Sequence, residues 1–220
     1  MIHHHPGDEL LLPLAAGRLS AGQAVVVSAH LEGCAECRAR LHTLQALGGA
    51  LLTQAEPAAL RPEAWERTLQ RLAEPAAAPV APPTAPPPHP ALPDGVPWPA
   101  SLRRCQVSGW RWMGPGMRYA RVALPQAAAP GSSVYLLHIG EGRSLPRHTH
   151  GGIELTQVLC GAFDDGRAVF GAGDFDATDD TVHHQPVVQH GATCVCLAYV
   201  GAPLRFDGRI ASLIGGWIGM

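Results

Sequence analysis

Eleven of the 25 residues at positions 75–99 are proline, and six more are alanine. Each proline lacks an amide N–H and fixes φ, so the stretch cannot build helix or sheet ladders and should run extended and polyproline-like. It divides a 220-residue chain into two pieces, 1–74 and 100–220, each of small-domain size. Such a stretch can also serve as an SH3-type ligand, but as a spacer between two structured pieces it needs no partner. With 46% of residues hydrophobic and only 15% charged, the chain can bury a core.

Sixteen basic residues against eighteen acidic ones give a formal charge of −2, so no polycationic surface drives nucleic-acid binding. The opening residues, Met1-Ile2-His3-His4-His5-Pro6-Gly7-Asp8, have no basic segment followed by an apolar one, as a secretory signal would. No apolar run reaches the length needed to span a bilayer. The expectation is a soluble cytoplasmic protein whose six cysteines are reduced, with metal or redox roles ranking above disulfide bridges.

The first piece reads helical. Residues 8–19 are rich in Leu and Ala, with Pro13 expected to bend or delay the helix. Ser20 can cap a second helix reaching about His30, and 34–54 makes a third. Pro57, then Pro62 at a first-turn position, introduce a fourth through Glu74. There Trp65, Leu69 and Leu72 recur at i, i+4 and i+7, an apolar stripe on a charged helix that could bind a partner or pack on the protein's own core. The second piece changes period. Runs at 107–112, 118–124, 134–139, 153–163 and 192–200 are β-branched or aromatic and punctuated by Gly, Pro and Asp, which argues an all-β sandwich or barrel.

Two constellations carry chemistry. The first, His30-x3-Cys34-x2-Cys37, would span an arc of about 60° on a continuous helix and so offers an imidazole and two thiolates on one face. Three such donors need a fourth to complete a tetrahedral zinc site, and His3, His4 and His5 are the natural supply. The alternatives are two buried structural cysteines or a redox pair, although no βαβ pattern surrounds this Cys-x2-Cys.

The second is Gly142-x5-His148-Thr149-His150-x3-Glu154-x6-Gly161, which resembles the first cupin motif at every fixed position. In a strand, residues i and i+2 share a face, so His148 and His150 point the same way. Gly151-Gly152 can make a tight hairpin that returns Glu154 on the neighbouring strand. Gly173-Asp174 and a histidine at 183 or 184 resemble a looser second motif. It lacks Pro-x-Gly, has a longer gap and shows no downstream Asn. Three imidazoles and a carboxylate suit zinc, iron, manganese or nickel. Cys194 and Cys196 share strand parity; small apolar core residues are the favoured account and redox sensors the alternative.

A short N-terminal histidine, a helix and then His-x3-Cys-x2-Cys resemble the zinc-binding anti-sigma domain of bacterial ECF sigma regulators. The stretches 5–11, 15–17 and 25–30 are close to the ChrR-type branch, and the resemblance covers nearly all of the chain outside the linker. It implies a multidomain α plus all-β architecture: a zinc-stapled helical anti-sigma domain (1–74), a Pro/Ala-rich linker (75–99) and a C-terminal cupin β-barrel, or double-stranded β-helix (100–220). It implies zinc ligands at His5, His30, Cys34 and Cys37, and His184 as the fourth cupin ligand because it precedes x-Pro-Val. It favours zinc as the cupin metal, with iron or manganese possible. It also implies that the fourth helix, with Trp65, Leu69 and Leu72, packs on an ECF sigma factor in a 1:1 complex, and that the cupin senses singlet oxygen or organic hydroperoxides. The expected protein is a regulator and not an enzyme. The rival is a dioxygenase-like cupin metalloenzyme with an accessory zinc domain.

Overall fold

The computed structural model describes residues 1–74, 89–93, 95–126 and 129–207. The polyproline expectation for 75–88 and the end of the chain, 208–220, lie outside the described residues. Four helices come first: α1 (Asp8–Ala15), α2 (Ala21–Gly33), α3 (Ala35–Gln54) and α4 (Ala64–Ala73). Ser20 caps α2 in a reciprocal capping box, its side chain accepting from the Gln23 amide while Gln23 reaches back to the Ser20 amide. Pro13 sits inside α1, and Pro62 stands just outside α4, whose N-cap is Glu63.

A 3-10 turn at Ala100–Leu102 leads into a barrel whose strands, β1 to β13 in chain order, all pair antiparallel. The main sheet has the order β1 (Gln106–Val107), β3 (Met117–Ala123), β4 (Ser133–Ile139), β12 (Cys194–Val200), β6 (Glu154–Cys160), β9 (Phe175–Thr178), with β2 (Arg111–Gly114) beside β3. A second sheet joins β10 (His183–His184), β5 (His148–Thr149) and β13 (Arg205–Phe206). A third joins β11 (Val187–Val188), β7 (Ala162–Asp164) and β8 (Val169–Gly171). The apolar run at 153–163 is thus two strands in two sheets. Gly161 makes the break at φ 71°, where a Cβ would stand 2.4 Å from the Thr193 carbonyl oxygen.

Two apolar layers lie on either side of the main sheet. The inner one fills the barrel with Tyr135, Leu137, Val158, Phe163, Phe170 and Cys196 among others. The outer one joins Leu10, Leu11, Val26 and Val27 of the helices to Val134, Leu136, Leu155, Phe175, Leu197 and Tyr199 of the sheet. This explains β12, in which every residue of Cys194–Val200 is buried: both faces are covered, so its sequence is continuously apolar instead of alternating. At Gly22, an added Cβ would meet the Tyr199 ring at 2.6 Å, so α2 lies against the sheet with no room for a side chain.

The helical piece is therefore docked on the barrel, where the proline spacer alone would suggest a loose tether. Polar contacts fix the docking. The Asp174 carboxylate accepts from the amides of His3 (2.6 Å) and His4 (3.0 Å), and the Phe175 amide donates to the His4 carbonyl at 3.1 Å. The Glu32 carboxylate accepts from the Ala100 and Ser101 amides at 2.8 Å each, capping the 3-10 turn. The described end of the linker also packs down, with His89 stacked on Trp98 and the Trp110 indole donating to the Ala91 carbonyl.

Candidate metal centres

The first constellation assembles where three segments meet. His5 precedes α1, His30 lies in the last turn of α2, and Cys34 and Cys37 open α3. Arg40 of α3 donates to both Asp8 oxygens at 2.5 Å, which holds the start of α1 beside α3. One potential ligand atom from each of His5, His30, Cys34 and Cys37 lies within 4.8 Å of the others. His5 Nδ1 is 3.4 Å from both sulfurs. The donors do not share one helix face, as the spacing suggested. Cys34 is extended (φ −103°, ψ 106°), ending α2 and capping α3, and this break turns Cys34 and Cys37 toward His30. Of the three early histidines, His5 is the one whose ring joins this cluster, while the His4 ring lies against Phe170.

The donors fit a zinc ion. The Nδ1 of His30 points at the Gln157 side-chain oxygen, 3.0 Å away, while its Nε2 is buried with no hydrogen-bond partner among the described residues. A buried orphan nitrogen is costly unless something accepts its lone pair. Burial, with the Cys34 thiol alongside, pushes the Cys37 thiol up to about 12, and burial pulls the His30 imidazole down. The pocket disfavours charge on its own, and a dication would compensate the thiolates it binds.

The second constellation lies inside the barrel. His148 and His184 face each other across the β5–β10 pair, His150 follows β5, and Glu154 opens β6. The Gly-Gly hairpin expected to return Glu154 beside His148 does not form: β5 pairs with β10 and β13, β6 with β12 and β9. Glu154 arrives instead from the main sheet across the barrel. His184 Nε2 lies 3.2 Å from His148 Nε2 and 3.1 Å from His150 Nε2, and Glu154 Oε2 is 3.1 Å from His150 Nε2. All four residues are buried. His148 Nδ1 donates to the Pro146 carbonyl at 2.8 Å, which leaves Nε2 as the lone-pair nitrogen.

Burial lowers His148 to about 4 and His150 to about 3, and raises Glu154 to about 8. Neutral imidazoles with their Nε2 atoms turned on one another form a donor set suited to a cation. His183, the other candidate, is exposed and 3.1 Å from Asp207. A cavity of about 40 Å³ adjoins the set, lined in part by Leu137, Leu145, Phe163, Cys194 and Cys196. The two thiols lie 3.5 Å apart in the inner layer, and the Cys194 contact together with burial raises Cys196 far above its usual range, which fits the core account.

Several supporting residues carry no spacing signal. His184 Nδ1 stands 3.5 Å from Asp165, and Arg167 pairs with both Asp165 and Asp176. Gln157 could have been anticipated only as a polar residue on a strand face that otherwise reads apolar.

The third expected feature is the stripe on α4. Trp65 is 68%, Leu69 46% and Leu72 77% exposed, and no residue of α4 is buried. Among the described residues, the stripe does not pack on the protein's own core. Leu47, Leu51 and Leu52 near the end of α3 are exposed as well.

Comparison with known proteins gives a consistent result. The ChrR cupin-like domain model matches residues 101–203, and a zinc-finger family model matches residues 8–38. The anti-sigma-E factor ChrR of Cereibacter sphaeroides is 41% identical over 214 residues, covering 97% of this chain and 96% of its own length. In the crystal structure of Rhodobacter sphaeroides SigE in complex with the anti-sigma ChrR, one chain superposes with a TM-score of 0.68 at 36% identity, covering 91% of this chain and 100% of that one. The curated relative is a regulator and not an enzyme. A helical zinc-finger region followed by a cupin barrel, matched in the same order along nearly the whole length, makes this chain a member of the ChrR family of anti-sigma factors.

Proposed function

We propose that this chain binds an ECF sigma factor 1:1 through residues 1–74, inhibits it, and releases it when an oxidative signal acts on the cupin piece, residues 100–220. The observation that carries the first part is the bare stripe of Trp65, Leu69 and Leu72 on a helix whose other positions are polar or charged apart from the terminal Ala64 and Ala73. An amphipathic helix with its apolar face in water is built to lie in another protein's groove. The crystallised ChrR relative is bound to its SigE.

Zinc held by His5, His30, Cys34 and Cys37 would have four protein donors and no open position, so its contribution is structural. The residues themselves do the positioning. His5 anchors the segment before α1, and the Cys34 break sets the angle at which α3 leaves α2. In the barrel, His148, His150, Glu154 and His184 would hold a second ion, zinc by family resemblance, with iron or manganese suited to the same donors. Singlet oxygen or an organic hydroperoxide is the signal the family resemblance implies. The cytoplasm is the setting that the family reading implies; among the described residues no helix is long and apolar enough to cross a membrane, and the chain's charge of −2 gives nucleic acid no overall electrostatic attraction.

The test uses the full chain with the ECF sigma factor of the same cell, measured by calorimetry. Wild type should bind 1:1, Trp65→Ala should weaken binding by roughly 30-fold or more, as loss of a central aromatic anchor does, and Cys34→Ser should abolish it. Sigma binding unaltered by either substitution would end this reading.

A further inference from the structure

We propose that Gln157, on the barrel strand β6, is an outer-sphere positioning residue of the N-terminal metal site, so that the barrel sets how tightly the helical piece holds its ion. The inference rests on the zinc reading of that site and goes beyond it, because the residue belongs to the barrel, 127 positions from His30.

The orientation of the Gln157 side chain is fixed by its own surroundings. Its amide nitrogen donates to the Val158 carbonyl at 2.9 Å, which turns the amide oxygen toward His30 Nδ1 at 3.0 Å. An amide oxygen can only accept, so Nδ1 must carry the imidazole proton and Nε2 must hold the lone pair. One ring nitrogen of His30 lies within 4.8 Å of a potential ligand atom from each of His5, Cys34 and Cys37, and with Nδ1 taken by Gln157 the buried Nε2, which has no hydrogen-bond partner among the described residues, is the one left for the ion. The ring is also boxed edge-on by His5, with centroids 5.5 Å apart, and by Phe175 of β9 at 5.7 Å. A histidine ligand whose other nitrogen is held in this way presents one tautomer in one direction, which is the usual task of an outer-sphere partner.

Packing alone does not account for a glutamine here. Gln157 is 3% exposed and has the same strand parity as Leu155, facing the layer that contains Val26, Val27 and Phe175. A buried amide in an apolar layer costs free energy unless each of its ends is matched, and a leucine would fill the space without that demand. Both ends of this one are matched, one by its own strand and the other by the candidate ligand. Glu154, Thr156 and Val158 of the same strand face the opposite way, into the barrel. One strand thus carries a donor of the barrel site on its inner face and the support for the helical site on its outer face.

The experiment is cobalt(II) titration of the metal-stripped full chain, read by the thiolate-to-cobalt charge-transfer band that the cysteine-bearing site produces and the histidine–carboxylate site does not. Gln157→Leu should weaken cobalt at that site by about 10–100-fold, the usual cost of losing an outer-sphere partner. Gln157→Glu, which keeps an acceptor, should stay within about threefold of wild type or bind more tightly. A folded Gln157→Leu chain with wild-type affinity would overturn the proposal. Should Gln157→Leu fail to fold, Gln157→Glu decides, and a weakening of about 10-fold or more would count against the acceptor role. Failure of the underlying zinc reading looks different: the wild-type chain would give no band that Cys34→Ser removes, and the proposal would fall with it.

Discussion

Asp174 shows how much a single side chain can organise. Burial alone would raise its pKa, but the amides of His3, Gly171 and His4 together hold it below the usual carboxylate range. A carboxyl with a depressed folded pKa contributes stability above its unfolded value, near pH 4, and loses it as the pH falls further through the folded value. Asp174→Ala should therefore cost about 1–3 kcal/mol at neutral pH in denaturant melts, and much less at low pH, where the wild-type advantage has gone. His150→Ala should remove one metal equivalent from the barrel while leaving the cysteine-site cobalt band intact, which elemental analysis and absorbance would check together. The candidate ligands were legible because metal chemistry restricts residue type and spacing: His30, Cys34, Cys37, His148, His150 and Glu154 fall in short motifs. Gln157 was not, because its partner lies 127 residues away and nothing in the local pattern marks it; Asp174 falls in the looser second motif, but its hold on His3 and His4, 170 or more residues away, was not legible there.

Among the elements, α4 and α2 are opposites. The apolar residues of α4 are in water, so truncating Leu72 to alanine should move the chain's own stability by no more than about 0.5 kcal/mol, whatever it does to sigma binding. Gly22 of α2 has the Tyr199 ring where a Cβ would go, and Gly22→Ala should destabilise by about 1–3 kcal/mol through overpacking. Thermal melts of the two variants side by side would separate these cases. Composition, capping residues and, for α4, the 3.6-residue period located the four described helices, and β-branched runs between turn residues located the main strands. A boundary between the second and third helices was expected, but not the extended Cys34 that sets the ligand geometry, and the break at Gly161 was missed. The extended Cys34 lies between two helical runs with no proline or glycine at its own position, and Gly161 divides what reads as one apolar strand. The extended Cys34 brings both sulfurs to 3.4 Å from His5 Nδ1, and at Gly161 a Cβ would meet the Thr193 carbonyl oxygen, so both breaks go with contacts far off in the sequence.

At the scale of the whole molecule, the linker composition suggested two independent bodies, and the outer apolar layer makes them one. Leu10, Leu11, Val26 and Val27 are each 2% exposed or less against the sheet. Amides of α2 should accordingly exchange with solvent as slowly as those of β12, whereas those of α4 should exchange with little protection. Protection of α2 far below that of β12 would mean that the two pieces open separately. Composition can identify a spacer, but it says nothing of whether the parts on either side touch.

The strap from His3 and His4 to Asp174 also bears on how the protein is made. At roughly 5–20 residues per second, the ribosome needs on the order of ten to thirty seconds to travel the 170 residues from His4 to Asp174. During that interval α1 and α2 have emerged, but the sheet that covers them has not. The proposed outer-sphere partner of His30 appears late as well, and β12, which lies against Gly22, is among the last strands synthesised. Contacts so distant in sequence form slowly even in a finished chain. A nascent chain stalled before β12 would carry all four candidate ligands of its first metal site and still lack the central strand, with Leu197 and Tyr199, of the sheet that covers its leading helices.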